Sequence, residues 1–419
     1  MEAFLYIFIL GLAILGTPIF VVMILFSAVA FSFADIELSA LAIEVYKIAS
    51  APTLLTIPLF TFAGYMMAEA KSPQRLLRLA QASFGWLPGG VAIVSLIICA
   101  FFTAFTGASG VTIIALGGLL YPMLLKEKYS EKFSLGLITT SGSLGLLFPP
   151  SLPIILYGIV AKVNIDDLFL AGLVPGMILI LILSMYSLYK GDRNFTRTQK
   201  FSVNELKSSF FAARYEVPLP FIVLGGIYGG FMTPTEASAI CAFYVFIMEC
   251  FLYKDISLSR DLPRVMKESM SLVGAIILIL CCALAVTNYL VDEEVPVRIL
   301  ELMKSLIDDK FTFLLCLNIF LLVVGAMMDI FSAIIVVVPL ILPIATEFGV
   351  DPIHLAIIFL TNLEIGYITP PVGINLFISS FRFNKSVTQI YKDVVPFLLL
   401  LLGALIIITY IPWLSLLWF

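Results

Sequence analysis

The chain has 419 residues, 61% of them hydrophobic and 12% charged, with a mean hydropathy of +1.10, a balance that excludes a soluble globular domain and indicates an all-α polytopic membrane protein. The formal net charge is -4, and no basic stripe interleaved with aromatics suggests a nucleic-acid partner. The six cysteines (Cys99, Cys241, Cys250, Cys281, Cys282, Cys316) fall in apolar segments without metal-ligand spacing, as small buried residues do.

Apolar blocks separated by charged residues give the elements in chain order. The opening run to Phe33 lacks a basic leader and is too long for a signal-peptide core, so it reads as a retained span at about 5–31. Residues 35–50 mix charged and apolar residues at helical spacing, as an amphipathic surface helix does. Further spans are expected at about 51–70, 133–163, 168–189, 217–231, 235–253, 269–290, 354–382 and 394–417; the 217–231 block is short and Gly-rich. A second amphipathic stretch, 296–310, carries Val297, Leu300, Met303 and Ile307 on one face. It and 35–50 are read as equivalent surface helices.

Two apolar blocks, 83–125 and 311–345, are too long for one crossing. Small or polar residues interrupt both: Thr103, Thr106-Gly107-Ala108-Ser109-Gly110 and Thr112 in the first, Gly325-Ala326-Met327-Met328-Asp329 and Ser332 in the second. Both read as re-entrant helical hairpins with these residues at the tips. Charge supports that reading. Basic clusters occur around Lys71, Lys126, Arg193, Arg260 and Lys385, and acidic connections at Asp166-Asp167, Asp292-Glu293-Glu294, Glu347 and Asp351. With both hairpins re-entrant, every basic cluster lies in the cytoplasm and every acidic connection outside. The N-terminus is then cytoplasmic and the C-terminus periplasmic.

One motif occurs twice. Gly145-Leu146-Leu147-Phe148-Pro149-Pro150-Ser151 lies in one span, and Leu363-Glu364-Ile365-Gly366-Tyr367-Ile368-Thr369-Pro370-Pro371-Val372-Gly373-Ile374-Asn375 in another. Consecutive prolines remove backbone donors and free carbonyls, which lipid cannot satisfy, so such breaks persist only when packed by protein or lining a wet cavity. A shift of 221 residues carries Pro150 onto Pro371. It also carries Ile113-Ile114 onto Ile334-Ile335, Pro122 onto Pro343, Thr140 onto Thr361, Gly145 onto Gly366 and Val174-Pro175 onto Val395-Pro396. With one hairpin entering from each side, the repeats are inverted, the symmetry that supports alternating access in secondary transporters.

Asp329 lies deep in an apolar run, where a carboxylate costs roughly 2.5–3.5 kcal/mol to insert. It reads as a cation or substrate contact, or as the N-cap of the following helix. Glu364 is a candidate coupling-ion site or a structural acid. Glu236 is a further coupling candidate, although Thr233-Pro234-Thr235-Glu236 also reads as a capping box. The hydroxyls and glycines from Thr106 to Gly110 suit a hard cation or a substrate carboxylate. Ser151, Thr369 and Asn375 add polar groups at the breaks. His354 is the sole histidine and has no partner for a metal site. No Walker motif, nucleophile elbow or catalytic carboxylate pair occurs, so the chain does not read as an enzyme.

The first break with Tyr157-Gly158, and the second running on to Leu376-Phe377, resemble the signatures of the large membrane subunit of tripartite ATP-independent periplasmic (TRAP) transporters. The likeness spans essentially the whole chain. It implies an elevator-type ion-transporter fold with scaffold and transport domains and Na⁺-coupled uptake of an organic acid. It also implies two partners: a small four-helix membrane subunit, here a separate chain, and a periplasmic solute-binding protein. Carried over by position, substrate contacts are Thr106, Ser109, Asp329, Ser151 and Asn375. Na⁺ ligands are Thr106, Gly107, Ser109, Gly110, Gly145, Pro149, Gly325, Met328, Gly366, Thr369 and Val372. The implied domains are scaffold with the first arm helix (1–78), transport half one (79–163), scaffold (164–295), second arm helix (296–310), transport half two (311–382) and a final scaffold span (383–419), in a bacterial or archaeal inner membrane. The alternative is a stand-alone ion-coupled anion transporter or antiporter of related fold.

Overall fold

The computed structural model describes residues 17–34, 52–87, 89–191, 201–294 and 309–419, with scattered positions in 5–15, 37–46 and 297–307. The described residues are helical, with no strand among them, and seven helices are long and apolar enough to cross a bilayer. Helices satisfy their own backbone, which lipid demands. Polar caps start several of them: Ser130, Asn164, Asp309, Asp351 and Ser386 each accept from an amide of the following first turn.

The first described span is α1 (Ile19–Phe33). The 51–70 block gives α2 (Thr56–Glu69), and the chain then bends by 74° into α3 (Ser72–Phe84). Hairpin 1 is α4 (Gly90–Thr106) and α5 (Ser109–Lys126). It begins at Gly90 rather than near 83, because 72–84 forms a separate helix and Gly89, at φ +73°, redirects the chain. The 133–163 block divides into α6 (Glu131–Ser141), a 3₁₀ turn at Leu144–Leu147 and α7 (Leu152–Ala161), with a 43° bend. Next comes α8 (Ile165–Lys190).

The basic connection expected beyond residue 190 contains a helix, α9 (Val203–Ala212), capped by Ser202. The Gly-rich 217–231 block forms α10 (Pro218–Tyr228), only 11 residues long. After α11 (Pro234–Ile247), α12 runs from Asp261 to Asp292, longer than the expected 269–290. Hairpin 2 is α13 (Lys310–Met327) and α14 (Ile330–Glu347). The 354–382 block is again broken, into α15 (Pro352–Gly366) and α16 (Ile374–Phe383). The chain ends with α17 (Val387–Tyr410) and the short α18 (Trp413–Leu416). Both ends of α5 recur 221 residues later as the ends of α14.

The expected surface helices over 35–50 and 296–310 fall largely outside the described residues. The 221-residue shift carries 75–89 onto 296–310, so α3, rather than 35–50, is the positional counterpart of the second stretch.

Packing sorts the helices into two groups. In one, α1 lies on α12, α11 lies on α2, and α2 lies on α12. In the other, α5 packs on α4 and α16, α14 on α7, α13 on α15, and α6 on α17, while α8 packs on α15, α17 and α18. The groups touch where α2 meets α4, α5 and α7, where α3 meets α4 and α5, and where α12 meets α14.

A buried ion cluster fixes α3 to the first group. Arg75 donates to Glu216 through Nε, to Asp255 at 2.5 Å and to Glu249 at 3.1 Å, and its guanidinium lies 3.6 Å over the Tyr253 ring. Tyr253 in turn donates to Glu216 at 2.7 Å.

Candidate functional site

Hairpin 1 turns in two residues. Gly107, at φ +64°, ends α4 with its amide on the Thr103 carbonyl at 2.8 Å, a left-handed conformation that favours glycine. Ala108 is extended and supplies no side-chain cap to α5. Ser109 donates its hydroxyl to Asn375 Oδ1 at 2.7 Å, and Asn375 Nδ2 donates to the Thr139 carbonyl at 3.3 Å. The Thr103 hydroxyl lies 2.7 Å from both Thr112 Oγ1 and the Gly142 carbonyl. Thr106 is buried beside them, and Gly110 packs against Ile378. Ser109 and Asn375, 266 positions apart, are thus in direct contact.

The two breaks are built alike. Pro149-Pro150 and Pro370-Pro371 are both cis peptides. Each break presses a glycine onto the first helix of its hairpin: a Cβ on Gly145 would stand 2.6 Å from the Ala104 nitrogen, and one on Gly366 would stand 2.5 Å from Gly325 Cα. The breaks meet where the Ser143 hydroxyl donates to the Glu364 carbonyl at 3.4 Å, between positions 221 residues apart. In the second break, Thr369 donates to the Ile365 carbonyl at 2.8 Å and the Gly373 amide to the Ala326 carbonyl at 3.1 Å. In the first, the Ser151 hydroxyl is fully buried with no hydrogen-bond partner, as is the Thr140 hydroxyl.

Hairpin 2 turns through Met328, which is extended, and Asp329, the N-cap of α14. The Asp329 carboxylate accepts from the Ser332 amide at 3.0 Å and the Ser332 hydroxyl at 2.5 Å. The Ile330 amide donates to the Tyr367 hydroxyl at 2.8 Å. Asp329 therefore caps its helix. Glu364 is fully buried, with neither carboxyl oxygen hydrogen-bonded. Glu236 stands apart from the tips, in an exposed capping box with Thr233 at the start of α11. His354 is buried in a polar seam, its Nε2 3.1 Å from the Thr409 carbonyl and its Nδ1 3.2 Å from Ser415 Oγ. A carbonyl only accepts, so Nε2 carries the hydrogen, and in the neutral ring Nδ1 accepts from Ser415.

Sequence reasoning missed Thr139 and Tyr367 as partners of the site. Tyr367 directly follows Gly366 in the second motif, a position that could have flagged it. Thr139 carries no such local signal.

Three helix N-termini converge at the first tip. No side chain caps α5, α7 or α16. Ser109 at the start of α5 touches Asn375 at the start of α16, and Gly107 abuts Leu152 at the start of α7. Helix N-termini carry partial positive charge and free amides, so this cluster favours an anion. The N-terminus of α14 already holds the Asp329 carboxylate. No group of three or more His, Cys, Asp or Glu residues suited to a metal occurs among the described residues, so cation ligands here would be carbonyls and hydroxyls.

Comparison with known proteins fits this architecture. The model of the DctM component of tripartite ATP-independent periplasmic transporters matches residues 5–414. The isethionate TRAP transporter permease protein DctMQ of Oleidesulfovibrio alaskensis is 38% identical over 363 residues, covering 86% of this chain and 57% of that one. The chain thus spans little more than half the length of that relative. The C4-dicarboxylate TRAP transporter large permease protein DctM of Vibrio cholerae is 34% identical over 436 residues, covering 99% of this chain and 96% of that one. Both relatives are transporter permeases rather than enzymes. Among solved structures, the Alcanivorax borkumensis YdaH transporter shares the fold, with a TM-score of 0.58, 13% identity, and coverage of 90% of this chain and 88% of that one. The chain belongs to the DctM component family of tripartite ATP-independent periplasmic transporters, as a multi-pass membrane permease.

Proposed function

We propose that this chain carries an organic anion into the cell by Na⁺-coupled secondary transport, with an elevator-like movement of one helix group against the other. The observation that carries the reading is the convergence of three uncapped helix N-termini with two glycine-backed proline breaks. The N-termini suit a carboxylate or sulfonate. The breaks supply carbonyls, and Thr106, Ser109 and Ser151 supply hydroxyls, which suit Na⁺. The two relatives' names, one a C4-dicarboxylate and the other an isethionate transporter, fit one anion-binding plan with different acids.

In this reading the carrying body is residues 90–190 and 310–417. The span helices α8 and α17 travel with the hairpins, because they pack on α15, α6 and each other. The static body is α1 to α3 with α9 to α12. The repeats are inverted, the N-terminus is cytoplasmic and the C-terminus periplasmic, as the charge pattern supports. A small membrane subunit completes the static side, and a periplasmic binding protein delivers the acid.

The test is uptake into proteoliposomes. The chain, with its small subunit, is given labelled C4-dicarboxylates, isethionate and sugar acids, with and without an inward Na⁺ gradient and the binding protein. Accumulation of one acid should require both. Uptake driven by a proton gradient alone would overturn the Na⁺ assignment, and uptake indifferent to the binding protein would overturn the tripartite one.

A further inference from the structure

The two hairpin tips are covered unequally. Thr106, Gly107 and Ser109 are buried. On the second hairpin Met327 is 61% exposed, and Val372 of the adjoining break is 39% exposed.

Part of what covers the first tip is α2, which belongs to the other packing group. Gly64 stands mid-helix there. A Cβ added to it would lie 2.7 Å from Thr106 Cα and 2.8 Å from the Phe105 carbonyl carbon. Those atoms are backbone and cannot swing aside as a side chain does. Glycine weakens a helix interior relative to alanine, and Gly64 has an ordinary helical φ, so backbone freedom is not what it supplies. What it supplies is the missing side chain. The 221-residue shift places Ala285 of α12 at the counterpart position, where a methyl group is accommodated and buried. The counterpart position therefore does not require glycine.

We propose that Gly64 is the point at which the static body receives the first hairpin tip, so that contact between α2 and the Phe105–Thr106 backbone defines one access state of the cycle. This rests on the two-body reading above. Movement of the carrying body has to break the contact, because α2 and α4 lie on opposite sides of the sliding surface. A side chain at 64 prevents the tip from seating and depopulates that state. Gly64 acts as a positioning residue and does not touch substrate itself.

Thiol labelling of the purified chain with its small subunit tests this. In a Cys316→Ser background the other five cysteines are buried. Thr106→Cys then places a reporter at a position the structure covers completely. With Gly64 intact, the reporter should react slowly with a water-soluble maleimide. Gly64→Leu should speed the reaction at least ten-fold and Gly64→Ala by less. Gly274→Leu, on the open face of α12, should leave it unchanged. Equal rates with Gly, Ala and Leu at 64 would overturn the proposal. So would a rise shared by buried Cys99 and Cys241, since that reports general loosening. If Gly64→Leu does not assemble, Gly64→Ala decides on the same readout. Labelling needs no transport, so selective acceleration in the reporter chain, together with no Na⁺-driven uptake by the parent chain that keeps Thr106 and Gly64, would sink the coupling assignment and leave the docking contact standing.

Discussion

At the scale of single residues, the site divides its acids by what each one touches. Asp329 and Glu236 both sit at helix starts, where a carboxylate offsets the free amides of the first turn. Glu364 has no such work: both of its oxygens are buried and unpaired. A charged carboxylate in that position is costly, whereas a neutral amide of the same shape is cheaper to bury. Glu364→Gln is therefore expected to fold and to unfold thermally at or above the temperature of the parent. A drop of several degrees would mean that the acid holds a bound cation or water whose loss the amide cannot replace. That Asp329 and Glu236 cap helices was legible in sequence because capping is local, with donor and acceptor three residues apart. The isolation of Glu364 was not, since it depends on helices folded around it from both halves.

At the scale of elements, the helix breaks at the Pro-Pro motifs and at 107–108 and 328–329 were readable because prolines, glycines and polar residues punctuate apolar runs. The boundaries moved where a helix was amphipathic rather than apolar. Both α3 and α9 lay hidden in stretches that read as basic connections. Arg75 shows why. By sequence it is one of several basic residues marking a cytoplasmic loop, yet its partners lie 141, 174 and 180 positions away. It is the cation shared by all three carboxylates of Glu216, Glu249 and Asp255, with the exposed Lys71 ammonium only at 3.9 Å from Asp255, and only 13% of its side chain is exposed. Removing one partner of a buried ion cluster leaves uncompensated charge and typically costs about 3–5 kcal/mol. Arg75→Met should destabilise the chain on that order, read as lost yield and a lowered melting temperature. Arg75→Lys should fall between the two, because an ammonium cannot fan out to three carboxylates. Adding Glu216→Gln to Arg75→Met should recover part of the loss. No recovery would show that packing against Tyr253, rather than charge, holds α3.

At the scale of the whole molecule, the 221-residue shift was visible by subtraction, and the ends of α5 and α14 agree with it. Hydropathy does not show which spans pack together: α8 and α17 read as scaffold in the sequence, and the two-body proposal places them with the hairpin helices because they pack on α15, α6 and each other. The decisive element is α3, bound through Arg75 to one group while it also packs on α4. Gln81 of α3 reaches Met123 of α5, with Nε2 3.4 Å from Sδ. Tyr186 of α8 and Phe397 of α17 stand 5.2 Å apart, ring to ring, within the proposed carrying body. Paired cysteines at 81 and 123, joined by a short bis-maleimide that adds one thiol at each end, should then arrest uptake in proteoliposomes, whereas a pair at 186 and 397 should leave most of it. Uptake that survives the 81–123 bridge would mean that α3 travels with hairpin 1, and the sliding surface would have to lie between α3 and the Glu216–Glu249 pair. Because the Arg75 cluster spans that surface, the same result would require the cluster to break in every cycle. Its three carboxylates and single guanidinium make that the more costly course.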